Sequence, residues 1–226
     1  MSAYQPAYRR PIATIFRATG RGFVGLCIKW GVHANVVSLL SVASATGAAA
    51  CFWQSGRWPF LLIPAAGLCY LRLWFNMLDG MVALQSGEAS PRGELFNELP
   101  DRVSDVLIFC GVAHSGWCHP LLGYWMAILS LVVAYIGTLG QAVGARREFS
   151  GVMAKPWRMV GLHLGSWVML GALWCGSSAR LWNLTILDWT LIAMMLGCGQ
   201  TVMARLARIW KALGTKTVSA EHRHVD

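Results

Sequence analysis

Six apolar segments, each close to 20 residues long, follow one another along most of the chain. A helix needs about 20 apolar residues to cross a hydrocarbon core of about 30 Å, so each segment is long enough to span a bilayer. We therefore predict an all-α integral membrane protein with six transmembrane helices. The segments lie at about 33–53, 59–84, 94–115, 121–145, 157–176 and 185–209.

The residues before the first apolar segment have the pattern of an amphipathic helix. Ile12, Ile15 and Phe16 fall near one face of such a helix, whereas Arg9 and Arg10 lie elsewhere around it. This pattern is typical of a helix that lies on an anionic membrane surface. A solvated basic tail is the alternative.

These patterns divide the chain into three parts. We predict an N-terminal amphipathic membrane-surface helix at residues 1–20, one membrane domain at 21–212 and a polar C-terminal tail at 213–226. The membrane domain has no linker, low-complexity tract or clear internal repeat. The last residues of the tail are expected to be disordered.

Composition and the placement of charge support a membrane protein and argue against nucleic-acid binding. Hydrophobic residues make up 56% of the 226 residues and charged residues 13%, whereas soluble domains carry roughly 25% charged residues. The net charge of +9 comes mostly from short segments that flank the apolar runs, without a basic stripe interleaved with aromatic residues. By the positive-inside rule, we expect a multi-pass protein of the bacterial inner membrane with both termini in the cytosol.

Six of the ten acidic residues lie in one stretch of 27 residues within otherwise apolar sequence. An acid inside the hydrocarbon core costs roughly 2.5–3.5 kcal/mol on insertion scales, so intramembrane acids usually face a cavity, a partner or an ion. The cluster is therefore the strongest functional signal in the chain. It consists of Asp79, Glu88, Glu94, Glu98, Asp101 and Asp105.

Helical spacing places oxygen-bearing side chains on one face of each of two neighbouring spans. On the second span, Asn76 and Asp79 share a face with Gly80. Carboxylate and amide oxygens are ligands that Mg²⁺, Mn²⁺ and Ca²⁺ prefer, so the two faces together predict a site for a hard divalent cation. The corresponding face of the third span holds Glu94, Asn97, Glu98, Asp101 and Asp105.

The residues of this cluster resemble the signature of the CDP-alcohol phosphatidyltransferases, which reads D-x-x-D-G-x-x-A-R-x8-G-x3-D-x3-D. The match begins with Asp79-Gly80 and Ala83 and continues through Gly93 to Asp101 without a gap. The resemblance implies an enzyme that transfers a phosphatidyl group from CDP-diacylglycerol to an alcohol acceptor and releases CMP, with Mg²⁺ or Mn²⁺ as cofactor. It also suggests a homodimer, surrounded by membrane lipids as its other partners.

Asparagine replaces two aspartates of the signature, since Asn76 and Asn97 stand at its first and third positions. In the family, the first three acids chiefly hold two divalent cations, and the fourth is the proposed base that deprotonates the acceptor. The resemblance therefore implies that Asp79 is a metal ligand and that Asp101 is the catalytic base and a further ligand. Asn76 and Asn97 offer neutral oxygens to the metal, with interhelical hydrogen bonding as the alternative.

Two other acids, Glu98 and Asp105, lie within about one turn of Asp101 on the same helical face. We predict that they act as metal ligands in place of the two missing carboxylates. A structural ion pair is the alternative for Asp105. Charge pairing with Arg72 or Arg102 is the alternative for the two motif aspartates.

Small and basic residues complete the predicted substrate site. Gly80 leaves room for a substrate phosphate, and Ala83 and Gly93 belong to the same motif. Basic side chains at the same cytosolic level are predicted to bind a phosphate of the acceptor or of the lipid, although topology alone also explains their position. These residues are Arg146, Arg147, Lys155 and Arg158.

Two other functions are open at the level of sequence. The first is a catalytically weak or inactive relative that binds CDP-lipid without turnover, because Asn76 and Asn97 weaken the metal site. The second is a membrane transporter that uses the acids as a relay. The transporter ranks last because the sequence has neither an inverted repeat nor paired broken helices.

Overall fold

The computed structural model describes residues 13–87 and 91–221, which fold into seven α-helices, a short 3₁₀ turn and a two-stranded hairpin. The 3₁₀ turn at Pro59–Leu61 leads into the third helix. Between the last two helices, β1 (Arg180–Leu181) pairs with β2 (Leu184–Thr185) in antiparallel register. The helices are α1 (Ala13–Lys29), α2 (Ala34–Gln54), α3 (Leu62–Gln85), α4 (Pro91–Ala113), α5 (Pro120–Ala142), α6 (Lys155–Trp174) and α7 (Ile186–Glu221).

Helices α2 to α7 lie at the six predicted apolar segments, so the all-helical architecture is confirmed. Within the described residues, four stretches are long and apolar enough to cross a membrane: α2, the 3₁₀ turn with α3, α5, and α7 as far as Gly214. Large apolar side chains such as Leu39, Leu164 and Leu196 are exposed on the outer faces of the helices. The chain is a multi-pass membrane protein. Helices α4 and α6 fall below the same hydropathy criterion because each begins with charged residues.

The N-terminal helix extends further than the sequence pattern predicts. Helix α1 continues past residue 20 to Lys29, and it ends where Gly31 adopts a φ of +64°, a conformation that glycine accommodates without strain. Val24 and Cys27 of α1 are buried in an apolar cluster with Leu78 of α3. This contact with the bundle favours a helix that is longer than the amphipathic segment alone.

The C-terminal helix also extends into the segment that the sequence predicts as a tail. Helix α7 remains helical to Glu221, well beyond the predicted boundary at residue 213. Residues 211–213, Lys-Ala-Leu, are strong helix formers and favour this continuation. The predicted disorder of the final residues and the first part of the predicted surface helix concern 222–226 and 1–12, which lie outside the described residues.

The helices pack so that the polar ends of α3, α4 and α6 meet. Helix α2 packs against α3 and α4, α5 packs against α4 and α7, and α6 packs against α3 and α7. The close approach of α2 and α4 requires Gly111, where a Cβ would lie 2.4 Å from the carbonyl oxygen of Ala49. The apolar core, which includes Phe52, Phe109 and Leu162, fills the bundle beside the polar end.

Candidate active site

Asp79 is buried in the C-terminal half of α3, and its hydrogen-bond partners among the described residues are neutral. Its Oδ2 accepts a hydrogen bond from Ser38 Oγ of α2 at 2.7 Å. Its Oδ1 accepts one from the Gly80 amide at 2.6 Å and one from Asn97 Nδ2 of α4 at 3.1 Å. Three donors therefore orient this carboxylate where α2, α3 and α4 meet.

The two asparagines connect this carboxylate to a lysine. Asn76 Nδ2 donates to Asn97 Oδ1 at 3.1 Å, and Lys155 Nζ of α6 donates to Asn76 Oδ1 at 2.5 Å. The hydrogen bonds thus run in one direction from Lys155 through Asn76 and Asn97 to Asp79, and we call these four side chains the asparagine bridge. Each asparagine accepts with its oxygen and donates with its NH₂ group, which an ionised aspartate cannot do.

Asp101 is buried on α4 between two cationic side chains. Lys155 forms an ion pair with its carboxylate, and Arg72 Nη2 of α3 lies 3.4 Å from its Oδ1. The same Arg72 nitrogen donates to the backbone carbonyl of Asp101 at 3.0 Å. The predicted base therefore contacts the asparagine bridge at its Lys155 end.

Asp105 lies one turn further along α4 and is engaged by two arginines. Arg72 Nη2 is 2.8 Å from its Oδ1, and Arg158 Nη2 is 2.7 Å from its Oδ2. All three side chains are buried, and Arg158 Nη1 also donates to the Met153 carbonyl at 3.1 Å. The arrangement in the structure is thus the structural ion pair, which ties α4 to α3 and α6, and a metal role for Asp105 stays a prediction.

Glu98 points toward basic residues on the other side of the site. It forms an ion pair with Arg102, four residues later on α4, and its Oε2 is 2.5 Å from Arg147 Nη2 in the loop between α5 and α6. The Glu98 side chain is 25% exposed, so these pairs are partly solvated. Its predicted role as a metal ligand likewise stays a prediction.

A cavity of about 110 Å³ adjoins Glu98 and Lys155 between α4, α5, α6 and α7. Its charged lining is mostly basic, and Glu98 and Glu148 are the acids in it. Arg205 of α7 belongs to this lining but not to the predicted site. It donates to the carbonyls of Ser150 at 2.8 Å and Val133 at 2.5 Å. An arginine inside the last apolar segment is the sequence signal for it. The basic residues in the lining are Arg102, Arg147, Lys155, Arg158 and Arg205.

Comparisons with known proteins find similarities to this chain in sequence and in fold. No protein-family model matches the chain. It is 27% identical over 138 residues to the inner membrane protein YnbA of Escherichia coli, covering 59% of this chain and 67% of YnbA. It is 26% identical over 166 residues to phosphatidylinositol phosphate synthase of Mycobacterium tuberculosis, covering 71% of this chain and 72% of the relative.

The fold of that synthase, PgsA1, also matches. Its crystal structure in complex with manganese and citrate superimposes with a TM-score of 0.68 at 20% identity, covering 84% of this chain and 88% of PgsA1. A second structure, with CDP-DAG bound, gives a TM-score of 0.65 at 21% identity, covering 87% and 94% of the two chains. The chain is therefore similar to this synthase in sequence and in fold.

In this chain, the motif that resembles the phosphatidyltransferase signature lies on α3 and α4. Asp79, Gly80 and Ala83 are on α3, and Gly93 and Asp101 are on α4. A Cβ at Gly80 would meet nothing within 4 Å, so the α3 side of the site is open at that point. This open space is where the sequence places a substrate phosphate.

The site has the ligand types of a divalent-cation site with half the negative charge of the phosphatidyltransferase signature. Among residues 13–87 and 91–221, no cluster of three or more His, Cys, Asp or Glu side chains is arranged for a metal ion. Asp79 and Asp101 supply two carboxylates, and Asn76 and Asn97 supply amide oxygens. These hard oxygen donors fit Mg²⁺ or Mn²⁺. Two carboxylates balance the charge of one such cation, whereas four balance two.

The other predicted residues lie around this centre or outside the described residues. Arg146 is exposed in the loop after α5 and is not among the residues that line the cavity. Glu88 and the side chain of Glu94 lie outside the described part of the chain. The structure therefore brings together the predicted residues Asp79, Asp101, Asn76, Asn97 and Lys155.

Proposed function

We propose that the chain transfers a phosphatidyl group from CDP-diacylglycerol to an alcohol acceptor and releases CMP. The observation that carries the proposal is the hydrogen-bonded link from Asp101 on α4 through Lys155 and the two asparagines to Asp79 on α3. Lys155 also lines the basic cavity. The relatives support it, because phosphatidylinositol phosphate synthases are among them and a PgsA1 structure of the same fold has CDP-DAG bound. The gap-free motif supports the same reaction.

Asp101 is the base in this proposal. The acceptor hydroxyl gives its proton to the Asp101 carboxylate, and its oxygen forms a bond to the β-phosphorus of the CDP-lipid. The bond between that phosphorus and the bridging oxygen breaks, so CMP leaves with the electron pair. Lys155 and Arg72 hold the carboxylate in place. A divalent cation held by Asp79 and a neighbouring amide oxygen would neutralise the pyrophosphate.

We infer that the acceptor carries a phosphate. Arg147, Arg158 and Arg205 line the cavity beside the base, and guanidinium groups bind phosphate oxygens in a bidentate manner. The cavity is small compared with the several hundred cubic ångströms of a complete ligand site, which suits the phosphate end of an acceptor. Inositol phosphate is the first acceptor to test, given the names of the relatives.

The same proposal includes the arrangement in the membrane. We infer six spans formed by α2 to α7, a surface helix at the N-terminus, and both termini in the cytosol of a bacterial cell. The match of α2 to α7 with the six apolar segments supports the spans, and the basic loop after α5 supports the orientation. The homodimer and the division into a surface helix, a membrane domain and a C-terminal tail also belong to this proposal.

A binding protein without turnover is the second candidate, because Lys155 and Arg72 already contact the predicted base. One experiment separates the two. The purified full chain receives CDP-diacylglycerol, Mn²⁺ or Mg²⁺, and a panel of alcohols with and without phosphate, and CMP release is measured with the lipid product identified by mass. We expect CMP only with a phosphorylated alcohol. No CMP with any acceptor, together with retained CDP-lipid binding, contradicts the transferase.

A further inference from the structure

Lys155 is placed differently from a residue that binds only an acceptor phosphate. Its side chain is 7% exposed, although lysine is almost never buried without a partner. Its ammonium contacts the Asp101 carboxylate and the Asn76 amide oxygen, which are two positions of the metal-binding motif. A positive charge that belongs to the protein therefore lies among oxygens where the family resemblance implies divalent cations.

The charges of the site leave no carboxylate for a second divalent cation. The family signature has four aspartates, whose four negative charges balance two divalent cations. In this chain, Asp79 and Asp101 carry two negative charges at those positions, and Lys155 adds a positive one. A second divalent cation next to Asp101 would approach the ammonium without gaining a carboxylate.

We propose that Lys155 takes the place of one of the two divalent cations, so that the site binds a single cation at its Asp79 end. The inference rests on the proposed function and deepens it. In place of the second metal ion, the ammonium supplies a fixed positive charge between the base and the first position of the motif. Asp79, whose described partners are the neutral donors of Ser38, Gly80 and Asn97, is the carboxylate left for the cation.

Asn76, Asn97 and Lys155 depend on one another through hydrogen bonds. Asn76 accepts from Lys155 and donates to Asn97, and Asn97 donates to Asp79. Aspartates at positions 76 and 97 have no proton to donate, so without a second cation they would repel each other and Asp79. The loss of two carboxylates and the gain of an internal cation are therefore parts of the same change.

The number of Mn²⁺ ions bound per chain tests the proposal. The purified full chain is titrated with Mn²⁺ without nucleotide, and bound metal is counted by electron paramagnetic resonance and calorimetry. We expect one Mn²⁺ in the wild type and two in the triple variant Asn76→Asp, Asn97→Asp, Lys155→Met. Lys29→Met removes a lysine from the exposed end of α1 and is the matched control, with one ion and unchanged affinity.

The single variant Lys155→Met keeps the test decisive if the triple variant does not fold. It should bind one Mn²⁺ with about tenfold tighter affinity, or about 1.4 kcal/mol, because the ammonium beside the site no longer repels the cation. Zero or two ions in the wild type, one in a folded triple variant, or an unchanged affinity in Lys155→Met would overturn the proposal. If Lys155 only bound the acceptor phosphate, Lys155→Met would instead raise the KM for the acceptor and leave Mn²⁺ binding unchanged. Failure of the transferase proposal shows separately, as absent CMP release.

Discussion

At the scale of single residues, Asp101 and Asp105 show how two acids one turn apart serve different ends. Asp101 contacts Lys155 and through it the asparagine bridge and the basic cavity. Asp105 has both oxygens bound by Arg72 and Arg158, and all three side chains are buried. The first arrangement suits chemistry, and the second holds three helices together.

Replacing Asp101 by asparagine should abolish its function as a base while it keeps its size. We expect CMP release to fall by about 10²–10⁴-fold, the usual contribution of a general base, while CDP-diacylglycerol binding partly survives. Glu221→Gln, at the C-terminal end of α7, is the control for loss of one acid. Unchanged turnover in Asp101→Asn would remove Asp101 from the role of base.

Replacing Asp105 by asparagine should lower the free energy of unfolding. The buried Arg158 guanidinium then loses its counter-charge, and Arg72 keeps only its longer contact with Asp101. Breaking a buried pair in this way costs about 3–5 kcal/mol. Glu98→Gln is the matched comparison, because its pairs with Arg102 and Arg147 are partly solvated and contribute about 1 kcal/mol or less. Thermal unfolding of both variants in one detergent measures the difference. Equal unfolding temperatures would contradict a structural role for Asp105.

At the scale of elements, α4 is a polar helix only on the side that faces the bundle. Its Asn97, Asp101 and Asp105 point toward α3 and α6, whereas Leu95 and Leu99 are exposed on the opposite side. A mean hydropathy over the whole helix adds the two faces together, which explains why α4 falls below the criterion for a span. The polar face is stabilised by partners on neighbouring helices and does not require contact with water.

The contact between α2 and α4 positions this polar face, and Gly111 allows it. A Cβ at Gly111 would lie 2.4 Å from the Ala49 carbonyl oxygen, so Gly111→Ala should lower the stability by about 1–3 kcal/mol through overpacking. Gly67→Ala in α3 is the matched control, because a Cβ there meets nothing within 4 Å. The control should be neutral or stabilised by up to about 1 kcal/mol. Similar unfolding temperatures for the two variants would show that α2 and α4 are not packed this closely.

At the scale of the whole molecule, the bundle has a polar end and an opposite end with little charge. The asparagine bridge and the basic cavity lie at the first end. The hairpin of β1 and β2 lies at the other, where Asp188 accepts hydrogen bonds from the amides of His119 and Thr185 at 2.6 and 2.9 Å. By the positive-inside rule, this asymmetry predicts that the site opens to the cytosol.

The native cysteines provide a test of this orientation. Cys175 follows α6 at the hairpin end and is exposed, whereas the other six cysteines are buried or half-buried. A membrane-impermeant maleimide added to spheroplasts should therefore label the wild type and not Cys175→Ser. A cysteine introduced by Lys216→Cys into Cys175→Ser should react only after the membrane is disrupted. The reverse pattern would place the active site outside the cell.

The sequence by itself determined the helices and the class of chemistry, because both depend on local spacing. Apolar runs of span length predicted α2 to α6 and the start of α7 within a few residues, and the motif from Asp79 to Asp101 indicated the reaction. Only the tertiary structure decided which cation meets which acid. Lys155 reaches Asp101 and Asn76 from a distant helix, and Arg72 joins Asp101 to Asp105. These pairings depend on how α3, α4 and α6 are rotated and packed, and spacing along one helix carries no information about that rotation.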